Sequence, residues 1–112
     1  MATTQDVEAT LLALMRRVGA LDGSTVALLP SRRTIEARFT DIDATYHAVW
    51  EDGELGELRV GAAPKPEIRL TCSSEVLLAM ANGTLTPSRA YATGRVRIDA
   101  SVTDLLRLRS VL

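Results

Sequence analysis

This chain is poor in the residues that carry most protein chemistry. Among its 112 residues there is one cysteine, Cys72, so no internal disulfide can form. A single thiol fits a reducing compartment. There is one histidine, His47, which excludes a multi-histidine metal site and a paired-histidine metalloprotease motif within the chain. Aromatics make up only 4%: Phe39, Tyr46, Trp50 and Tyr91. Few large rings fill the interior, which fits either a cavity or close helix–sheet packing through alanine. Lysine is nearly missing, Lys65 being the only one; the other basic residues are arginines. That preference reads as phosphate or carboxylate recognition or as GC-rich codon usage, the second being the commoner cause. The net charge of −1 offers no basic excess, which disfavours nucleic-acid binding. No apolar run approaches the roughly 20 residues of a membrane span. The polar, acidic start, Met1 to Glu8, is unlike a secretory signal. A soluble cytoplasmic protein is expected. No glycine loop of the Walker or dinucleotide type occurs, and no cofactor is expected.

The residues that are present are ordinary for a globular chain, with 46% hydrophobic and 24% charged. The length suits one domain, residues 1–112. Val7, Leu11, Leu14, Met15, Val18 and Leu21 recur at spacings of three and four, which predicts a helix over 4–21. Thr3 with Asp6 should cap it, and Gly23 should stop it. Residues 24 to 33 are mixed, with Pro30 as a breaker.

Ile35, Ala37 and Phe39 then alternate with polar residues in a first strand. Ala44 to Trp50 follows the Asp41-Ile42-Asp43 turn as a second, interior strand. Glu51-Asp52-Gly53-Glu54 signals a hairpin into a third strand, Leu55 to Gly61. A proline loop, Ala62 to Pro66, leads to a fourth strand at Ile68, Leu70 and Cys72. Ser73 or Ser74 caps a short helix that ends at Gly83, and Thr86-Pro87 starts another that ends at Gly94. Val96 and Ile98 mark a fifth strand. Ser101 with Asp104, a capping box in its Asp form, opens the last helix, whose apolar side is Leu105, Leu106, Leu108, Val111 and Leu112. The expected fold class is α+β: a five-stranded, mainly antiparallel sheet covered by helices.

Three stretches between Ile35 and Leu112 resemble the sterol carrier protein 2 (SCP-2) family. They are Trp50-Glu51-Asp52-Gly53; Ile68 to Glu75, IRLTCSSE; and, most specific, Asn82 to Ile98, NGTLTPSRAYATGRVRI. The resemblance implies a sheet covered by helices with an apolar tunnel between them. It also implies lipid binding or transfer rather than catalysis. After the fifth strand this chain has Asp99-Ala100-Ser101, where the family usually has Gly followed by Asp or Asn.

The stripe Leu77, Met80, Leu85 and Tyr91 reads as core from its pattern and as tunnel wall under the resemblance. Phe39, Trp50, Leu105 and Leu108 are the other candidate wall residues. Tyr91 is a candidate polar handle, since a buried hydroxyl needs a partner. Cys72, aligned with Ile68 and Leu70, reads as a buried structural thiol. His47 reads as a packed strand residue. Asp41 and Asp43, with two carboxylates and no further oxygen ligands, read as turn residues rather than a cation site. Arg95 and Arg97 face outward, as a solvated sheet face or for transient contact with a membrane.

The expected function is that of a small non-enzymatic protein holding an apolar ligand, a fatty acyl chain or sterol. The alternative is an interaction module with a collapsed cavity, whose last helix forms a homodimer or docks on an enzyme.

Overall fold

The computed structural model describes residues 3–19 and 31–111. The predicted helix end at Leu21 and Gly23, the Pro30 break and Leu112 lie outside them. Helix α1 spans Thr4–Gly19. Strands β1 (Arg32–Phe39), β2 (Ala44–Glu51), β3 (Glu54–Leu55), β4 (Arg59–Val60) and β5 (Ile68–Cys72) follow. Helices α2 (Ser74–Ala81) and α3 (Pro87–Ala92), strand β6 (Arg97–Asp99) and helix α4 (Val102–Val111) complete the order.

The helix starts are chemically specified. At α1 the Asp6 N–H donates to Thr3 Oγ1 and the Thr3 N–H to Asp6 Oδ2, both at 3.1 Å, a reciprocal capping box. Hydrogen bonding from the Thr3 backbone N–H first, and from the Thr3 side chain second, holds the exposed Asp6 carboxyl below the usual range. Ser73 caps α2, accepting from the Val76 N–H, and Thr86 caps α3, accepting from the Arg89 N–H, with Pro87 as the first helical residue. Gly83 and Gly94, at φ of +83° and +76°, follow α2 and α3 in the left-handed conformation that a side chain would strain.

The strand order is β3-β2-β1-β5-β6, with β4 also paired to β2. The β1–β5 pair is parallel and the other pairs are antiparallel, so the sheet is mixed. The expected third strand is two short pieces. Residues 56–58 leave the ladder after the Gly56 N–H donates to the Val49 carbonyl. The Asp52-Gly53 hairpin forms with positive φ at both residues, as a primed two-residue turn requires.

The register sorts the side chains onto two faces. Arg33 with Trp50, Ile35 with Ala48 and Ile68, Ala37 with Tyr46 and Leu70, and Phe39 with Cys72 point to one side, where the helices pack. The core there joins Val7, Phe39, Tyr46, Cys72, Leu77, Leu85, Ala90 and Val96. The Phe39 and Tyr46 rings meet tilted, with centroids 6.2 Å apart. Helix α1 packs on α2 and β3. Arg17 Nη1 donates to the Ala81 carbonyl at 3.3 Å, so a cation sits at the C-terminal end of α2.

The opposite face carries Glu36, Arg38, His47, Arg69 and Thr71. The chain crosses this face between β4 and β5 and is stitched to the sheet. The Gly61 N–H donates to Thr45 O at 2.7 Å, and His47 Nδ1 lies 2.8 Å from Gly61 O. Since a carbonyl only accepts, Nδ1 of His47 carries the proton. The buried Glu36, 3% exposed, accepts from the Ala63 N–H at 3.1 Å and from Arg69 Nε at 2.6 Å.

Candidate functional site

The helix-facing side of the sheet is not evenly covered. In the row from Phe39 to Cys72 both residues are buried. In the next row, Ala37, Leu70 and Ile98 run in register across β1, β5 and β6, and all three are only half-buried. Ile35 on the central strand is also half-buried. Ala37 and Ile98 still pack against the core cluster, and Ile98 lies on the edge strand β6; Ile35 and Leu70, on the inner strands β1 and β5, are the half-buried positions with thinner cover.

Helix α4 meets the sheet at Arg33, at the N-terminal end of β1. Its Asp104, 3% exposed, faces Arg33 on β1, with Nε 2.8 Å from Oδ2 and Nη2 3.1 Å from Oδ1. Arg33 also lies 3.6 Å from Glu67, and its Nη1 donates to the Arg32 carbonyl at 2.6 Å. The paired guanidinium holds the Asp104 carboxyl below the usual carboxylate range, and Arg33 is raised by the same bond. Leu108 lies one turn beyond Asp104 and so shares its helix face. Leu105 and Leu108 are half-buried.

At the other end of the sheet, Asp41 in the β1–β2 turn accepts from the Ser74 N–H at 2.8 Å and from Ser74 Oγ at 2.5 Å. These bonds hold the Asp41 carboxyl below its ordinary value and lock the first turn of α2 to the sheet. Asp41 is therefore a helix clamp as well as a turn residue. The neighbouring Cys72 thiol is pushed up to about 11, by burial first and by the Asp41 charge second.

The candidate wall residues divide by placement. Phe39, Leu77 and Leu85 belong to the buried core cluster, and Met80 packs against it. Trp50 is buried at 4% exposure beside Leu55 and Arg33 on the same sheet face, outside that cluster. Leu105 and Leu108 are on α4, and Tyr91 on α3 is 41% exposed. Two open grooves lie elsewhere. One, of about 280 Å³, is lined by His47, Val49 and Arg59 among others; one, of about 520 Å³, is lined by Glu8, Tyr46 and Val60 among others. None of the eight candidates lines either groove. Among the described residues, no group of three or more His, Cys, Asp or Glu stands together to hold a metal, and no helix is long and apolar enough to cross a membrane.

Sequence reasoning missed Glu36 and Arg33. Glu36 sits where the alternation of the strand reads as solvent-facing charge, and Arg33 falls in the stretch 24–33 that shows no pattern; their partners lie 27, 33 and 71 residues away. The expected capping box at α4 forms by half. The Asp104 N–H donates to Ser101 Oγ at 3.1 Å, but the carboxylate is spent on Arg33.

A family model described as the SCP-2 sterol transfer family matches residues 11–112. The chain belongs to this family. The SCP-2 fold is seen again in solved structures. The crystal structure of sterol carrier protein 2 like 2 from Aedes aegypti superposes with a TM-score of 0.70 at 18% identity, covering 96% of this chain and 97% of that one. A solution structure of the palmitated form of the mosquito protein gives 0.68 at 16% identity, covering 98% and 94%. The sec-alkylsulfatase Pisa1 from Pseudomonas sp. gives 0.61 at 22% identity, with 88% of this chain matched to 16% of the enzyme. At these identities the likeness is one of fold. No curated protein sequence matches the chain significantly. The SCP-2 resemblance read from Ile35 to Leu112 thus extends back into the second half of α1.

Proposed function

We propose that this SCP-2 domain holds one apolar ligand, a fatty acyl chain or a sterol, between its helices and its sheet, and catalyses no reaction on it. The reading is carried by Ile35 and Leu70, half-buried on the inner strands β1 and β5 of the helix-facing side of the sheet. Family membership supports the ligand class. So does the palmitated state named for the mosquito neighbour. In this reading Phe39, Trp50, Leu77, Met80, Leu85, Leu105 and Leu108 form the wall, and the exposed Tyr91 belongs to the mouth.

Burying ten methylenes yields about 8 kcal/mol gross at roughly 0.8 kcal/mol each. Losses of ligand and side-chain freedom offset part of this, leaving binding in about the micromolar range. A charged anchor is not needed at that affinity. The Arg33–Asp104 pair ties α4 to the sheet, and in this reading α4 is the element that yields to a ligand.

Native mass spectrometry of purified protein, followed by displacement of a fluorescent fatty acid with palmitate and with cholesterol, tests the proposal. A retained lipid and saturable displacement are expected. Protein free of lipid that binds neither competitor at tens of micromolar would sink it.

A further inference from the structure

Strand β6 ends the sheet. Among the described strands it pairs with β5 alone, so no described strand covers its outer edge. Backbone groups alternate along a strand, and one bond sets their phase here. The Cys72 carbonyl accepts from the Thr40 N–H, just past the end of β1, at 3.2 Å. Leu70, two residues earlier, therefore also turns its backbone groups to β1, while Arg69 and Thr71 turn theirs to β6. Their register partners Asp99 and Arg97 face them, and Ile98, opposite Leu70, presents its N–H and C=O to the outer edge. The side chains alternate as well. Arg97 and Asp99 lie on the polar face of the sheet, both exposed and 3.3 Å apart, and the half-buried Ile98 lies on the helix-facing side.

Open sheet edges are commonly blunted by lysine, proline or a bulge. The edge formed by β3 and β4 is interrupted at 56–58. Strand β6 reads Arg-Ile-Asp, with neither lysine nor proline, and its two charges are of opposite sign.

We infer that β6 pairs antiparallel with β6 of a second copy of this chain, about a twofold axis through Ile98. The two Ile98 residues then exchange both backbone hydrogen bonds, and Arg97 of each copy stands opposite Asp99 of the other. Charge selects this register. Of the neighbouring registers that keep the backbone bonds in phase, one sets Arg97 against Arg97 and the other sets Asp99 against Asp99. Like charges directly opposite are destabilising. An unrelated strand would have to supply a base, an apolar residue and an acid at successive positions; a second copy does so by symmetry. The contact is short, since β6 has three residues and the Val96 N–H is already given to the Ala90 carbonyl at 3.1 Å. It therefore makes a transient dimer rather than an obligate one. It does not depend on the ligand reading.

Sedimentation velocity of the full chain, from about 10 to about 500 µM, should show reversible dimerisation that added salt weakens. Arg97→Asp alone sets only carboxylates across the axis, and Asp99→Arg alone sets only guanidinium groups. Each should weaken the dimer roughly tenfold or more. Both side chains are exposed, so each variant should still unfold cooperatively on heating. An equimolar mixture of the two variants should dimerise like the parent, because the charges across the strands are again opposite. The double variant, Arg97→Asp with Asp99→Arg, should do the same. A parent that stays monomeric throughout, single variants that dimerise like the parent, or a mixture that stays monomeric would overturn the inference.

Discussion

Asp104 grips Arg33 through two parallel hydrogen bonds of 2.8 and 3.1 Å across 71 residues of sequence. The carboxylate comes from the first turn of α4 and the guanidinium from the start of the central strand β1. This pair fixes the last helix over the sheet. Asp104→Asn keeps the size of the side chain and removes its charge, and should cost about 1–3 kcal/mol of stability in urea unfolding. The same variant should bind a fluorescent fatty acid with altered affinity, because α4 is freer to move. Unchanged stability would show that the pair is incidental.

The acid limb of stability follows from the same carboxylate. Asp104 and Asp41 both have depressed values in the folded protein, from Arg33 and from Ser74 respectively. Groups of this kind stabilise above their unfolded value, near 4, and the contribution disappears as pH falls through the folded value. Thermal midpoints should be flat above about pH 5 with respect to these groups and fall below about pH 4. The fall should be shallower in Asp104→Asn. A parallel decline in parent and variant would refute the assignment.

Glu36 fastens the crossover chain to the polar face, with Ala63 and Arg69 as partners. Glu36→Ala strips the partner from a buried N–H and from a guanidinium at once. A loss of about 1–3 kcal/mol is expected, chiefly from the unsatisfied Ala63 N–H, since the Arg69 side chain is half-exposed. Hydrogen exchange at Ala63 should rise before that of β1, and retained protection there would exclude the role.

Leu70 probes the space itself. If Ile35 and Leu70 line a ligand site, Leu70→Phe should weaken fatty-acid displacement by about tenfold with little loss of stability. A packed interior would instead resist the larger ring at a cost of about 1–3 kcal/mol. Urea unfolding and probe binding on one preparation distinguish the two outcomes.

Cys72 should be inert while the protein is folded. Its thiol is pushed up to about 11 by burial and by Asp41, so little thiolate exists at pH 8. Alkylation by iodoacetamide should track unfolding, and rapid labelling of native protein would contradict this placement.

Much of the architecture was legible because it is local. Thr3 with Asp6, Thr86-Pro87, Gly83, Gly94 and Asp52-Gly53 each specify a turn or helix start within a few residues. The alternation of Ile35, Ala37 and Phe39 likewise marks a strand with one apolar face. The third strand was less legible. It breaks at 56–58, where Gly56 alone hinted at an interruption and the pairing with β2 on either side sets its extent.

The sequence by itself determined the segments, their caps and the family pattern, because hydrogen bonds and side-chain spacing of short range encode them. Only the tertiary structure decided that β5 pairs in parallel with β1, that Glu36 is buried, and that Asp104 reaches Arg33 instead of closing its own cap. Each of these joins residues 27 or more positions apart. A charged residue in an alternating strand looks the same whether water or a distant chain segment will meet it. That choice is made when the crossover chain and α4 come to lie against opposite faces of the sheet.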